Sequence, residues 1–134
     1  HGSWYYQQLD LGFNYRLTEL QAALGISQLA RIESFVAARR RLAKRYHELL
    51  SNCSLALPTE RSYGKSCFHL YVVRVQDKEN RAPVFEALRA AGIAVNVHYL
   101  PVYAHPYYQQ FGFDSKDFPN AEDFYSRIIS LPLY

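Results

Sequence analysis

Two short stretches gather side chains able to donate and accept hydrogen bonds beside regular structure: Gly12-Phe13-Asn14-Tyr15-Arg16, and His98-Tyr99-Leu100-Pro101-Val102-Tyr103 with His105 just beyond. Both sit where the chain enters or leaves a regular element, which is where binding residues concentrate. Neither is a self-sufficient catalytic motif. The chain holds no phosphate-cradling glycine loop, no G-x-S-x-G elbow and no H-E-x-x-H helix. Plainer roles compete at each position. An Asn suits irregular backbone ahead of a helix cap, an Arg can be a surface ion-pair partner, and a His can end a strand as a satisfied structural group. The 12 tyrosines more often fill half-buried contacts than perform chemistry.

The elements that must position these groups follow from spacing. Residues 1–17 read as irregular. Thr18 and Gln21 form a capping box, so a helix begins at Glu19. Leu20, Ala23, Leu24, Leu29, Ile32, Phe35, Val36, Leu42, Tyr46, Leu49 and Leu50 recur at helical spacing, with a bend or break expected at Gly25 or at Ile32-Glu33. A connection over residues 51–66 leads into a β-branched and aromatic strand, Cys67 to Val75. Asn80 is expected to cap a second helix holding Val84, Phe85 and Leu88, with Gly92 as its left-handed C-terminal cap. Ile93, Val95 and Val97 alternate as a second strand that delivers His98 and Tyr99 into a loop. A short helix runs to about Phe111, and Pro119 opens a last helix through Phe124, Ile128 and Ile129. The order predicts an α+β fold: a long helical arm followed by a small domain, with residues 1–50 as the arm and residues 51–134 as the domain.

A chain of 134 residues with 49% hydrophobic and 16% aromatic content is enough for one packed unit. The net charge of +3 is too mild to imply nucleic acid, and the cluster Arg39, Arg40, Arg41, Lys44 and Arg45 reads as a solvated helix face without an aromatic platform beside it. Cys53 and Cys67 give neither a disulfide framework nor a zinc site, and reduced thiols in the cytoplasm are expected. No stretch approaches the roughly 20 apolar residues of a membrane span. Opening on His1, lacking Met and ending at Leu131-Pro132-Leu133-Tyr134, the chain is expected to be a piece of a longer protein.

The run from Leu11 to Gly25, with Gly12-Phe13-Asn14-Tyr15-Arg16, Thr18-Glu19 and Gln21-Ala22-Ala23-Leu24, resembles the G-[YF]-N-[YF]-R-x-[TS]-[ED]-x-Q-A-A-[LI] signature of the DegT-type sugar aminotransferases. Further likenesses follow in order: Gln28-Leu29, Arg39-Arg40, Tyr46, His69-Leu70-Tyr71, Gly92-Ile93, Val97-His98-Tyr99 with Pro101, and Ala121-Glu122 through Leu131-Pro132. Val97-His98-Tyr99, Tyr107-Tyr108-Gln109 and Ala121 to Tyr125 most resemble family members of the pseudaminic-acid pathway, which aminate C4 of a UDP-linked 4-keto-6-deoxy sugar.

The resemblance implies the C-terminal part of a fold-type-I enzyme that uses pyridoxal phosphate, takes its amino group from glutamate and works as a homodimer with active sites at the subunit interface. It implies that Asn14 reaches the cofactor phosphate across that interface, where an uncharged amide suits a phosphate already met by a helix N-terminus. It places Arg16 near the same edge, Tyr15 against the sugar, and His98 and Tyr99 on the small-domain edge facing the substrate; Tyr103 and His105 match less closely. The family holds its cofactor on a lysine in an S-x-H-x-x-K loop, and Lys44, Lys65, Lys78 and Lys116 do not stand in that pattern. The large domain is therefore missing, and the chain alone should not transaminate. The competing reading is a noncatalytic sugar-nucleotide-binding or regulatory module on the same small-domain fold.

Overall fold

A computed structural model of the chain describes residues 12–13 and 15–133. Residue contacts divide the chain into two units, with the division between Glu33 and Ser34.

In the first unit the capping box forms as the sequence predicts. The Gln21 N–H donates to Thr18 Oγ1 at 3.3 Å, and the Thr18 N–H donates to Gln21 Oε1 at 3.0 Å. These two bonds satisfy donors that a helix start leaves orphaned, and α1 runs Glu19–Leu29 from that point. Its apolar side chains are exposed: Leu20, Leu24, Ile26 and Leu29 each keep 63% or more of their surface. Gly25 lies inside α1 without interrupting it. The chain breaks instead at Ala30-Arg31, and α2 follows over Ile32–Leu50.

The second unit is built on a three-stranded antiparallel sheet. Strand β1 (Leu55–Ala56) pairs with β2 (Tyr71–Val75), which pairs with β3 (Ile128–Leu131), so β2 is central. Alternation along β2 buries Tyr71, Val73 and Val75. Ala43, Tyr46 and Leu50 recur at three- and four-residue spacing on α2 and pack on that cluster, as do Val84, Phe85 and Leu88 of α3 (Arg81–Ala90). Val73 and Ile129 are direct cross-strand partners, exposed by only 2% and 0%. Burying a branched side chain of this kind contributes roughly 1.5–3 kcal/mol. Tyr46 stacks on Tyr71 with ring centroids 5.0 Å apart, and its hydroxyl donates to the Pro132 carbonyl at 2.8 Å.

The structure departs from the sequence expectations at several elements. The expected strand from Cys67 shortens to Tyr71, because Phe68 takes a left-handed φ of 47° that interrupts the extended run. The expected strand from Ile93 to Val97 reduces to a single bridge at Asn96. The Ile93 N–H is spent on the Leu88 carbonyl and the Gly92 N–H on that of Arg89, a Schellman closure of α3 with Gly92 at φ +79°. Gly92 thus takes its predicted role. Asn80 does not: it is itself helical and makes no side-chain cap, because a 3-10 turn over Lys78–Asn80 starts the helix from Asp77. The last helix, α5, is Pro119–Arg127, and Ile128 and Ile129 belong to β3. Periodicity over so short an apolar run cannot separate helix from strand; pairing with Arg74 and Val73 decides it. The short helix α4 is Pro106–Gln109 and ends before Phe111.

The segment between Asn96 and α5 is braced by one aromatic residue. Tyr103 lies in a 3-10 turn over Val102–Ala104, stacks on Phe118 at 4.5 Å and donates its hydroxyl to Glu122 Oε1 at 2.7 Å. Its pKa is pushed up from 10.0 to about 12, first by desolvation and then by the hydrogen bond to Glu122 and that carboxylate's charge. A raised phenol pKa means that the contact stabilises the fold fully below pH 10 and is lost as pH climbs through about 12.

Tyrosinate absorbance should therefore show, in the difference between wild type and Tyr103→Phe, one phenolate appearing near pH 12; an appearance near pH 10 would show that the contact is not made. The Tyr71 hydroxyl is buried and has no hydrogen-bond partner among the described residues, so Tyr71→Phe should leave thermal stability unchanged or raised. Tyr46→Phe, which strands the Pro132 carbonyl, should cost about 1 kcal/mol.

Candidate functional site

His98 and Tyr99 reach their positions through β3. Asn96 and Ser130 exchange backbone hydrogen bonds, Asn96 N–H to Ser130 O at 3.2 Å and Ser130 N–H to Asn96 O at 2.8 Å. This antiparallel bridge places the following residues beside the same serine. Two residues on, His98 Nδ1 lies 2.9 Å from Ser130 Oγ. The imidazole is half-buried and one of its nitrogens is held, whereas Tyr99 is 69% exposed. The two rings meet edge to face at 4.6 Å across a cis peptide bond. One anchored imidazole beside one free phenol is an arrangement suited to hydrogen-bonding a polar ligand.

The weaker candidates from this loop divide differently. Tyr103 is engaged by Glu122 and Phe118. His105 is exposed, and its carbonyl accepts the Tyr108 and Gln109 N–H groups that open α4. From the first stretch, Asn14 lies outside the described residues. Tyr15 is 88% exposed and stacks on Phe13 at 5.4 Å, and Arg16 is exposed. Tyr15 and Arg16 precede the division at Glu33, and His98 and Tyr99 follow it.

A groove of about 770 Å³ in the second unit lies elsewhere, between α2 and residues 58–71. Its charges largely answer one another. Arg40 Nη1 donates to Glu60 Oε1 at 2.9 Å, and the Ser66 N–H donates to the same oxygen at 2.6 Å. The Arg40 bond first, and the backbone bond second, hold the Glu60 carboxyl below its usual range. All four lysines are exposed, Lys44 lying 3.9 Å from Glu48, so none is an enclosed amine of the kind activated for Schiff-base chemistry. Among the described residues no cluster of His, Cys, Asp and Glu could hold a metal, and no helix is long and apolar enough to cross a membrane.

Two partners of site residues escaped the sequence reading. Ser130 lies just beyond the last helix expected through Ile129, and Glu122 carries no expected contact. The short run Ile128-Ile129-Ser130-Leu131, which opens on two β-branched residues and precedes Pro132, is the available signal for Ser130. Nothing in the spacing pointed from Tyr103 to Glu122, 19 residues on.

Comparison with known proteins accounts for the whole chain. The profile of the DegT/DnrJ/EryC1/StrS aminotransferase family matches residues 1–134. The spore coat polysaccharide biosynthesis protein SpsC of Bacillus subtilis is 40% identical over 140 residues, which cover 100% of this chain and 36% of that protein. A UDP-4-amino-4,6-dideoxy-N-acetyl-beta-L-altrosamine transaminase of Helicobacter pylori is 35% identical over 93% of this chain and 34% of its own length. The PLP-form of Spr1654 of Streptococcus pneumoniae superposes with a TM-score of 0.85 at 32% identity over 100% of this chain and 35% of the solved chain. The chain thus spans about a third of the length of the relatives it matches. With a profile match from end to end and an α+β architecture that superposes on solved relatives, this chain belongs to the DegT/DnrJ/EryC1/StrS aminotransferase family.

Proposed function

We propose that this chain is the C-terminal part of a pyridoxal-phosphate-dependent nucleotide-sugar aminotransferase that moves an amino group from glutamate to C4 of a UDP-linked 4-keto-6-deoxy sugar. The observation that carries the proposal is the end-to-end family match. The sugar assignment draws on the pseudaminic-type resemblance and on the named activity of the Helicobacter relative.

Pyridoxal phosphate, when bound, supplies the electron sink for amino transfer. The described residues do not fit its covalent attachment, since every lysine is exposed on the surface. That attachment is assigned to the part of the parent beyond this chain, and the isolated chain is expected to be inactive. What this chain contributes is recognition. Asn14 donates an amide N–H to the cofactor phosphate of the partner subunit in a homodimer. Arg16 offers a planar fork to a substrate phosphate or to the interface, and Tyr15 lines the sugar. His98 and Tyr99 bind the sugar or its diphosphate. The enzyme works in the cytoplasm, on soluble substrates.

In the full-length protein, Asn14→Ala should weaken cofactor retention roughly tenfold or more, with sugar binding little changed. Equilibrium dialysis of the cofactor tests this, and unchanged affinity would remove Asn14 from the phosphate. His98→Ala should instead lower kcat/KM for the sugar about tenfold with the cofactor still bound. Steady-state kinetics with glutamate and the keto sugar decide that, and unaltered sugar kinetics would refute the His98 assignment. Transamination by the 134-residue chain alone would overturn the division of labour between this chain and the rest of the parent.

A further inference from the structure

The contact between His98 and Ser130 fixes more than a ring position. Ser130 is 4% exposed on β3, where its backbone is paired to Asn96 on one side and registers with Val72 on the other. Its Oγ is therefore placed by two strands of backbone and not by a flexible loop. Among the described residues the only hydrogen-bond partner of that oxygen is His98 Nδ1, at 2.9 Å.

Two proton arrangements are open to this pair. If Nδ1–H donated to Oγ, the serine proton would have no acceptor among the described residues, and a buried donor left unmade is costly. If the serine hydroxyl donates to Nδ1, both groups are satisfied at once. The neutral imidazole then carries its proton on Nε2.

We propose that Ser130 is a positioning residue that holds His98 as the Nε2–H tautomer, making the imidazole a hydrogen-bond donor toward an oxygen-rich substrate and not a base. The inference rests on the reading of His98 as a substrate-facing group. An Nε2–H donor matches diphosphate oxygens and the carbonyl or hydroxyl oxygens of a keto sugar, all of which accept. It also withholds Nε2 from proton abstraction, so the base for amino transfer lies elsewhere in the enzyme.

The test uses the full-length enzyme with isotope-labelled histidine, His98→Ala identifying the His98 signals by their loss. Wild type should show a pyridine-like Nδ1 and a pyrrole-like Nε2. Ser130→Ala should convert this to a tautomer mixture, and Ser130→Thr, which keeps the hydroxyl, should restore it. Sugar kcat/KM should fall roughly three- to tenfold in Ser130→Ala, with cofactor affinity and the glutamate half-reaction unchanged. Added to His98→Ala, the same substitution should have no further effect. An Nδ1–H tautomer in wild type overturns the proposal, and so does a Ser130→Ala loss that simply adds to that of His98→Ala. If His98→Ala leaves sugar kinetics untouched while the Nε2–H signature is present, the substrate role of His98 fails and the hold of Ser130 on the ring stands.

Discussion

Strand β3 is hydrogen-bonded on both sides, and most of the second unit follows from that. On one side it pairs residue by residue with β2, from Tyr71 opposite Leu131 to Arg74 opposite Ile128; on the other it takes Asn96 opposite Ser130. A slip of one residue would turn Val73 and Ile129 out of the core and move Ser130 away from His98. Register is therefore specified twice, by buried apolar side chains along β2 and by paired backbone at Asn96. The same pairing sets Pro132 where its carbonyl accepts the Tyr46 hydroxyl of α2, tying the helix to the end of the strand.

Around that strand, polar side chains do local positioning. Arg127, the last residue of α5, pairs with Asp123 one turn earlier and reaches the Gln76 carbonyl just past β2 at 3.3 Å. These contacts span the point where helix becomes strand. Tyr103 and Glu122 join the loop after Asn96 to the same helix. The loop carrying His98 and Tyr99 is thus held by Ser130 at one end and by Glu122 beyond it, while Tyr99 stays open to solvent. A polar group exposed above a frame held in this way loses less ordering entropy when a ligand binds to it.

The first unit has a different character. Its helix is defined locally, by a reciprocal cap and by residues of good helix propensity, yet its apolar side chains remain exposed. A capped helix with an unburied apolar stripe needs an apolar partner.

Local chemistry alone settled several features. The capping box at Thr18 and Gln21, the helix it starts, the left-handed Gly92 and the strand character of Tyr71 to Val75 each depend on neighbours within a few residues, so they are legible from local sequence. The signature around Asn14 and the His98-Tyr99 pair could be named for the same reason, as side-chain types at fixed intervals. Features that join distant residues were not legible. Whether Ile128-Ile129 is helix or strand depends on Val73 and Arg74, more than 50 positions away. The strand expected at Ile93 shrank to Asn96 because the Ile93 N–H was already taken by the helix before it. Ser130 became the partner of His98 only when antiparallel pairing brought residues 32 apart in sequence to hydrogen-bond distance. Short apolar runs carry no information about their partners, and the donors and acceptors they leave over find their bonds only in the folded chain.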